Sequence, residues 1–176
     1  MSLYSTRQSM LRLCLIAAVA LALSACGFAL RGPVTLPFSS IYLNLPANAP
    51  LSIELQRNLL ADGKTRLART EQDADVVFEV LSESKDKSIL ALNSQGRVRE
   101  YSLVYTLRFR VRNTVGKIFL DTTELNLKRN LTFNESLVLA KESEEALLYR
   151  EMQSDTIQQV MRRLASVTDL QGSPDQ

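Results

Sequence analysis

The chain has 176 residues, no histidine and two cysteines, and this composition excludes several classes of catalytic and metal site. Without histidine, the chain cannot build a Ser-His-Asp or Cys-His catalytic site or a His-ligated zinc site. Its 21 basic and 19 acidic side chains almost balance, so no overall positive field attracts nucleic acid. We therefore predict a protein that is not an enzyme, has no catalytic or metal-binding residues and no cofactor, and does not bind nucleic acid.

Residues 1–25 are predicted to be a cleaved secretory signal. Arg7 and Arg12 precede an apolar run, residues 13–23, which is shorter than the roughly 20 residues that a transmembrane helix needs. A basic start, an apolar middle and small residues before the cut are typical of a signal peptide. The Leu-Ser-Ala-Cys sequence at its end resembles a bacterial lipobox, in which Cys26 carries lipid and becomes the first mature residue. The alternative is an ordinary signal peptide with an incidental cysteine.

The segment after the signal, residues 26–40, is predicted to be a tether, because glycine and proline interrupt any regular period. A short first strand is predicted at residues 41–45, where apolar and polar side chains alternate. A first helix is predicted over residues 50–62, because Pro50 suits its first turn and Gly63 suits its end. The apolar stripe of this helix comprises Leu51, Leu55, Leu59 and Leu60.

Three further strands are predicted to form an antiparallel meander. The clearest spans residues 101–112, where every second position is apolar: Tyr101, Leu103, Tyr105, Leu107, Phe109 and Val111. The strand before it runs from residue 75 at least to Ser82, and the pattern leaves open whether it continues to Leu92. The strand after it covers about residues 117–132. Turn signals at Asn93–Gly96 and Asn113–Gly116 separate the three strands.

A long last helix is predicted over residues 143–166, after a linker at residues 132–141, with Ser143 as its N-cap. Its apolar side comprises Leu148, Tyr149, Met152, Thr156, Ile157, Val160, Leu164 and Val167. The polar tail, residues 168–176, is predicted to be disordered. The order β-α-β-β-β-α predicts an α+β domain over residues 41–167. In this two-layer sandwich, two helices pack on one face of a four-stranded antiparallel or mixed sheet.

Basic side chains are the candidate binding residues. Arg108 and Arg110 share one face of the long strand, and Lys128 is predicted to lie on the same face of the next strand. This face is either an ordinary solvated face or an anion site, because the guanidinium fork fits phosphate oxygens. Arg97 would extend the basic surface, whereas Lys141 taken alone would be a surface lysine.

Three segments resemble the LptE family of lipopolysaccharide-assembly lipoproteins, formerly also called rare lipoprotein B. They are Cys26–Gly32, Arg99–Leu103 and Leu139–Leu164, the last of which contains Leu-Ala-Lys-Glu and Tyr-Arg-Glu-Met. No segment is specific by itself. Their order and spacing match the family from one end of the mature domain to the other, and this makes the set specific.

The resemblance implies an outer-membrane lipoprotein, anchored through Cys26, whose domain lies on the periplasmic side inside the lumen of a large β-barrel, LptD. Such a protein plugs the barrel, assists its assembly and helps to deliver lipopolysaccharide to the outer leaflet. The family also implies direct lipopolysaccharide binding by a basic residue that Lys141 matches. The family has a second basic position in the loop between the second and third predicted strands. In this chain Arg97 lies only near that position. The remaining candidates for this binding are Arg108, Arg110 and Lys128.

Two rival functions are compatible with the same residues. A generic envelope lipoprotein that binds or scaffolds another component would share the lipobox and the fold, but it would lack a barrel partner and affinity for lipopolysaccharide. An envelope hydrolase would need two catalytic carboxylates or an activated serine, and no Asp or Glu pair stands out from the charged surface. The barrel-plug interpretation is therefore preferred.

Overall fold

The structure is a computed structural model that describes residues 35–167. The predicted signal peptide, Cys26 and the predicted tail lie outside the described residues. The elements are β1 (Ser40–Asn44), α1 (Pro50–Leu59), β2 (Arg66–Leu67), β3 (Val76–Leu92), β4 (Val98–Arg112), β5 (Ile118–Thr132) and α2 (Val138–Ala165). Short 3₁₀ turns cover Leu60–Asp62, Glu71–Asp73 and Glu135–Leu137.

The strands form one five-stranded sheet in the order β2-β1-β3-β4-β5. β1 is parallel to both of its neighbours, whereas β3, β4 and β5 form the predicted antiparallel meander. The predicted α+β class with two helices is confirmed, but the predicted count of four strands is wrong. The additional strand, β2, has only 2 residues, too few for an alternating pattern to be recognised in the sequence.

β3 extends well beyond its neighbour on one side. It pairs with β4 through to Leu92, whereas β1 accompanies it only as far as Glu79. From Ser82 onward, β3 therefore pairs with a strand on one side only. The side chains of this half are almost all exposed, which explains why no apolar period marks it in the sequence. Pairing with β4, rather than burial, keeps this part of the chain extended.

One apolar core lies between the sheet and the helices. β4 contributes every second residue, as predicted, and Leu103, Tyr105, Leu107, Phe109 and Val111 are all 0% exposed. The helices contribute Leu51, Leu55 and Leu59 from α1, and Met152, Ile157, Val160 and Leu164 from α2. These residues form a single cluster, so the periods of 2 and 3.6 in the sequence identified most of the core.

The ends of the first helix and of the tether differ from their predictions. Leu60 was expected in the apolar stripe but is 48% exposed, because α1 ends at Leu59 and a 3₁₀ turn redirects the chain. Gly63, the residue predicted to follow the helix, has a left-handed conformation with φ of 67°. Leu36 and Phe38 are buried in the core, so the folded part of the chain includes residues that were assigned to the tether.

α2 begins earlier than predicted, at Val138. Ser143 is not its N-cap, since the Ser143 hydroxyl donates a hydrogen bond to the carbonyl of Leu139 within the helix. The preceding 3₁₀ turn is capped instead by Asn134, whose side chain accepts a hydrogen bond from the backbone N–H of Ser136. The first apolar residues of the helix are exposed and add nothing to the buried stripe. The sequence period therefore placed the start too late.

The two hairpins of the meander share one turn geometry. In each, an asparagine side chain accepts hydrogen bonds from two backbone N–H groups further along: Asn93 from Gln95 and Arg97, and Asn113 from Val115 and Lys117. Gly96 and Gly116 have φ of 76° and 92°, a conformation that residues with a Cβ rarely adopt. The turn signals at both positions are therefore explained by the same pair of residue types.

Candidate functional site

The structure separates the candidate basic residues into two groups. Arg108, Arg110 and Lys128 lie on the sheet face that points away from the core, since they alternate with core residues of β4 and β5. Arg97 and Lys141 lie elsewhere, near the start of β4 and in the first part of α2. We call the first surface the polar sheet face.

The arginines at one side of the polar sheet face already have anionic partners. Arg110 Nε lies 2.5 Å from Glu79 Oε2, and Arg112 Nη1 lies 2.6 Å from Glu71 Oε1. The hydrogen bond from Arg110 is the main cause that lowers the pKa of Glu79, and the hydrogen bond to Glu71 is the main cause that raises the pKa of Arg112. This charge is compensated within the face, which weakens Arg110 as a phosphate ligand.

Arg108 and Lys128 are the more accessible cations of the polar sheet face. Arg108 Nε lies 3.6 Å from Glu124, and both of these side chains are about half exposed, at 49% and 55%. Lys128 lies opposite Val104 on β4, which places it on the face predicted for it, and its ammonium forms no ion pair with a residue of the 35–167 range. The face as a whole resembles a solvated, ion-paired surface with one available lysine.

A second surface, which we call the hairpin end, comprises residues 89–99 and 132–142. The backbone N–H of Phe133 donates to the carbonyl of Arg99 at 2.8 Å, so the chain that leaves β5 runs beside the start of β4 before it enters α2. The rings of Tyr101 and Phe133 pack edge to face at 5.2 Å between centroids. These contacts hold the β3–β4 turn and the first turn of α2 at the same end of the domain.

Arg97 and Lys141 both belong to the hairpin end. Arg97 pairs with Glu135 at 3.1 Å, and its side chain is 59% exposed. Lys141 pairs with Glu144 at 2.7 Å along the helix, and its side chain is 18% exposed. Both ion pairs are at the surface, where such pairs are weak and readily exchanged for another anion.

The hairpin end also exposes large aliphatic side chains. They are Ile89, Leu90, Leu92, Leu137, Val138 and Leu139, with exposures between 41% and 79%. We call these six side chains the aliphatic cluster, because they lie in the two segments that form the hairpin end. Exposed apolar surface rimmed by polar residues is typical of interaction sites. The sequence did not reveal this cluster, because it depends on where β3 ends and where α2 begins.

A groove of about 600 Å³ lies beside the hairpin end, between β3 and α2. It is lined by Lys85, Lys87, Glu142, Glu145, Ala146, Tyr149 and Arg150. This groove was not predicted from the sequence, because the pattern left the second half of β3 open. Because β3 continues to Leu92, Lys85 lies opposite Tyr105 and Lys87 opposite Leu103 in the register of β3 and β4. Both lysines therefore lie on the helix-bearing side of the sheet. The alternation of charged residues after Ser82 was the available signal.

Two kinds of feature are absent from residues 35–167. Within this range, no helix combines the length and the apolar character needed to cross a membrane. The same residues contain no group of three or more Asp, Glu, Cys or His side chains arranged to hold a metal ion.

Comparison with known proteins identifies the family. Residues 38–164 match the family model LptE, described as lipopolysaccharide-assembly. The chain belongs to the LptE family. A relative from Pectobacterium atrosepticum named LPS-assembly lipoprotein LptE is 28% identical over 152 residues, which is 84% of this chain and 81% of the relative. The resemblance found in the sequence is confirmed.

Solved structures with related names share the fold. Lipoprotein B from Nitrosomonas europaea has a TM-score of 0.66 at 31% identity, covering 80% of this chain and 91% of that one. Rare lipoprotein B from Shewanella oneidensis has a TM-score of 0.63 at 22% identity, covering 72% and 94%. A minor lipoprotein from Acinetobacter baumannii has a TM-score of 0.61 at 25% identity, covering 75% and 94%.

Membership of the LptE family gives the chain a role in lipopolysaccharide assembly in the cell envelope. LptE is a family of assembly lipoproteins and is not a known enzyme family. The hairpin end and the groove are therefore considered as binding surfaces.

Proposed function

We propose that this LptE-family protein is an outer-membrane lipoprotein that plugs an LptD-like β-barrel, assists its assembly and, together with it, delivers lipopolysaccharide to the outer leaflet. The observation that carries the proposal is the family match over residues 38–164, which includes nearly the whole described domain. Cys26, after removal of residues 1–25, would carry the anchor. Each buried lipid methylene contributes about 0.8 kcal/mol, so several acyl chains give a lasting attachment.

The polar sheet face supports a position inside a barrel. The lumen of a large barrel is polar, and a charged surface can contact it only if its charges remain paired when water is displaced. Arg110 with Glu79, and Arg112 with Glu71, provide such pairs within the domain itself. The part of the face that carries these two pairs can therefore approach a polar wall without leaving an isolated buried charge.

The hairpin end supports direct binding of lipopolysaccharide, which carries both phosphate groups and acyl chains. Lys141 and Arg97 offer ammonium and guanidinium groups for phosphate, and the aliphatic cluster around Leu139 offers an apolar surface for acyl chains. We rank these two cations above Arg108, Arg110 and Lys128, which lie on the polar sheet face.

The barrel proposal is tested by affinity capture of the full lipoprotein from detergent-solubilised outer membrane. We expect a large β-barrel to be recovered in equimolar amount. Recovery of the lipoprotein alone, from membranes in which that barrel is abundant, would refute the plug role and favour the generic envelope lipoprotein.

The lipopolysaccharide proposal is tested by charge reversal at Lys141. Lys141→Asp should weaken lipopolysaccharide binding by about tenfold or more, because it replaces a phosphate ligand with a repelling charge. Lys117→Asp is the matched control, since Lys117 is exposed at the β4–β5 turn, outside the hairpin end. A folded Lys141→Asp variant with unchanged affinity would exclude Lys141 from the site.

A further inference from the structure

The groove between β3 and α2 has preformed walls. The Tyr149 hydroxyl donates a hydrogen bond to the backbone carbonyl of Asp86 at 2.8 Å, and Lys87 Nζ lies 2.6 Å from Glu145 Oε2. Burial, and after it the nearby Glu145 carboxylate, raises the pKa of Tyr149, so the hydroxyl stays protonated and keeps donating. These two contacts fix α2 against β3, and the space between them does not have to be opened by a ligand.

Not every cation that lines the groove forms an ion pair with another described residue. Lys87 is neutralised by Glu145, but Lys85 and Arg150 form no ion pair with a residue of the described range. Lys85 Nζ lies 5.8 Å from the centre of the Tyr149 ring, which positions the ammonium at the groove wall. Two available cations therefore line one groove of about 600 Å³, a volume within the roughly 300–1,000 Å³ of small-molecule sites.

A free carboxylate in the same groove narrows the class of ligand. Glu142 lines the groove and forms no ion pair within the described part of the chain. A simple anion such as inorganic phosphate would gain from Lys85 and Arg150 but would be repelled by Glu142. A ligand that carries a phosphate together with hydroxyl groups suits all three, because a carboxylate accepts hydrogen bonds from hydroxyls.

We propose that this groove binds a phosphorylated saccharide. Lys85 and Arg150 bind the phosphate, Glu142 accepts hydrogen bonds from sugar hydroxyls, and Ala146 with Tyr149 forms the less polar floor. Apart from Glu142, the residues of this groove lie outside the hairpin end. The inference adds to the proposed function and rests on it for the origin of the sugar. The saccharide headgroup of lipopolysaccharide and a free sugar phosphate share this chemistry.

The test is calorimetric titration of the full lipoprotein with three probes: a phosphorylated glucosamine disaccharide without acyl chains, purified lipopolysaccharide and inorganic phosphate. We expect Lys85→Gln with Arg150→Gln to weaken disaccharide binding by about tenfold or more, the change that loss of one charge-assisted contact produces. Lys117→Gln with Arg162→Gln, which removes the same charge from exposed positions outside the groove, should leave the affinity unchanged.

The outcomes separate this inference from the proposed function. If the wild type captures the barrel and binds lipopolysaccharide but not the disaccharide, the groove inference is wrong and the proposed function stands. Equal affinity for inorganic phosphate and the disaccharide would also overturn the groove inference. If no barrel is captured but the disaccharide binds through Lys85 and Arg150, the groove is a site for a free sugar phosphate. If the variant with Lys85→Gln and Arg150→Gln also binds lipopolysaccharide more weakly, the ligand of the groove is the saccharide headgroup of lipopolysaccharide.

Discussion

The hydroxyl of Tyr105 belongs to a buried residue but is satisfied by a carboxylate from an exposed one. Tyr105 is 0% exposed and donates a hydrogen bond to Glu83 Oε1 at 2.8 Å. Burial, and after it this bond to Glu83, raises the pKa of Tyr105, so the hydroxyl remains a donor. A buried donor left without a partner costs about 1–3 kcal/mol, whereas a lost hydrogen bond costs about 1 kcal/mol. We expect Glu83→Ala to lower the free energy of unfolding more than Tyr105→Phe does.

Urea unfolding of both variants measures this difference. Glu83→Gln is the control, because its amide oxygen still accepts the bond and its stability should stay close to the wild-type value. Equal losses for Glu83→Ala and Tyr105→Phe would mean that the Tyr105 hydroxyl finds another acceptor.

The carboxylate of Glu79 makes a second prediction at the level of single residues. Its pKa is lowered mainly by the hydrogen bond from Arg110, so the folded value lies below the unfolded value of about 4.3. Its stabilisation is therefore complete above the unfolded pKa and is lost as the pH falls through the folded pKa. We expect Glu79→Gln to be less stable than the wild type near neutral pH and to lose less stability on acidification. Parallel pH profiles of the unfolding free energy would contradict this.

The two hairpin turns depend on asparagine side chains. Asn113 Oδ1 accepts hydrogen bonds from the backbone N–H groups of Val115 and Lys117, at 3.1 and 2.7 Å. Asn113→Ala should lower the unfolding free energy by about 1–2 kcal/mol, because it removes both bonds. Asn113→Asp keeps the accepting oxygen and should lose less. Thermal unfolding measures both, and an Asn113→Ala variant as stable as the wild type would show that the turn forms without its side chain.

Helix α2 is held to the sheet by its buried stripe rather than by its exposed start. Met152 is 0% exposed, so Met152→Ala should cost about 2–5 kcal/mol through lost burial and the cavity left behind. Leu139, in the first turns of the same helix, is 79% exposed, and Leu139→Ala should change stability by less than about 0.5 kcal/mol. Chemical unfolding compares the two. Similar losses would mean that the exposed start of α2 is packed against the domain.

Elements with one buried face were predictable, and elements without one were not. The alternation of β4 gave five fully buried residues because each of them packs on the core. No such period marks three other parts of the fold: the second half of β3, strand β2 and the first turns of α2. The conformation of these parts is determined by strand pairing or by the direction of the chain. For the same reason the role of Lys141 came from a family resemblance alone, and the groove at Lys85 was missed.

The whole domain consists of two unlike halves along the sheet. In one half all five strands lie side by side, and α1 contacts the later part of α2, as in the hydrogen bond between Gln153 and Glu54. The other half contains the long extensions of the meander and the earlier part of α2. The hairpin end and the groove both belong to this second half, which has fewer covering elements.

The one-sided pairing of β3 after Glu79 has a consequence for how the domain opens. Amides of Ser84–Leu92 belong to the half with less burial, so they should exchange with deuterium through local opening, at a lower free energy than amides of Val76–Glu79. Native-state hydrogen exchange would reveal this as two cooperative units, and a single uniform unit would contradict it. A ligand bound at the groove or the hairpin end would stabilise the weaker unit selectively. The domain would then be most adaptable at the two proposed binding surfaces and most rigid at the opposite end.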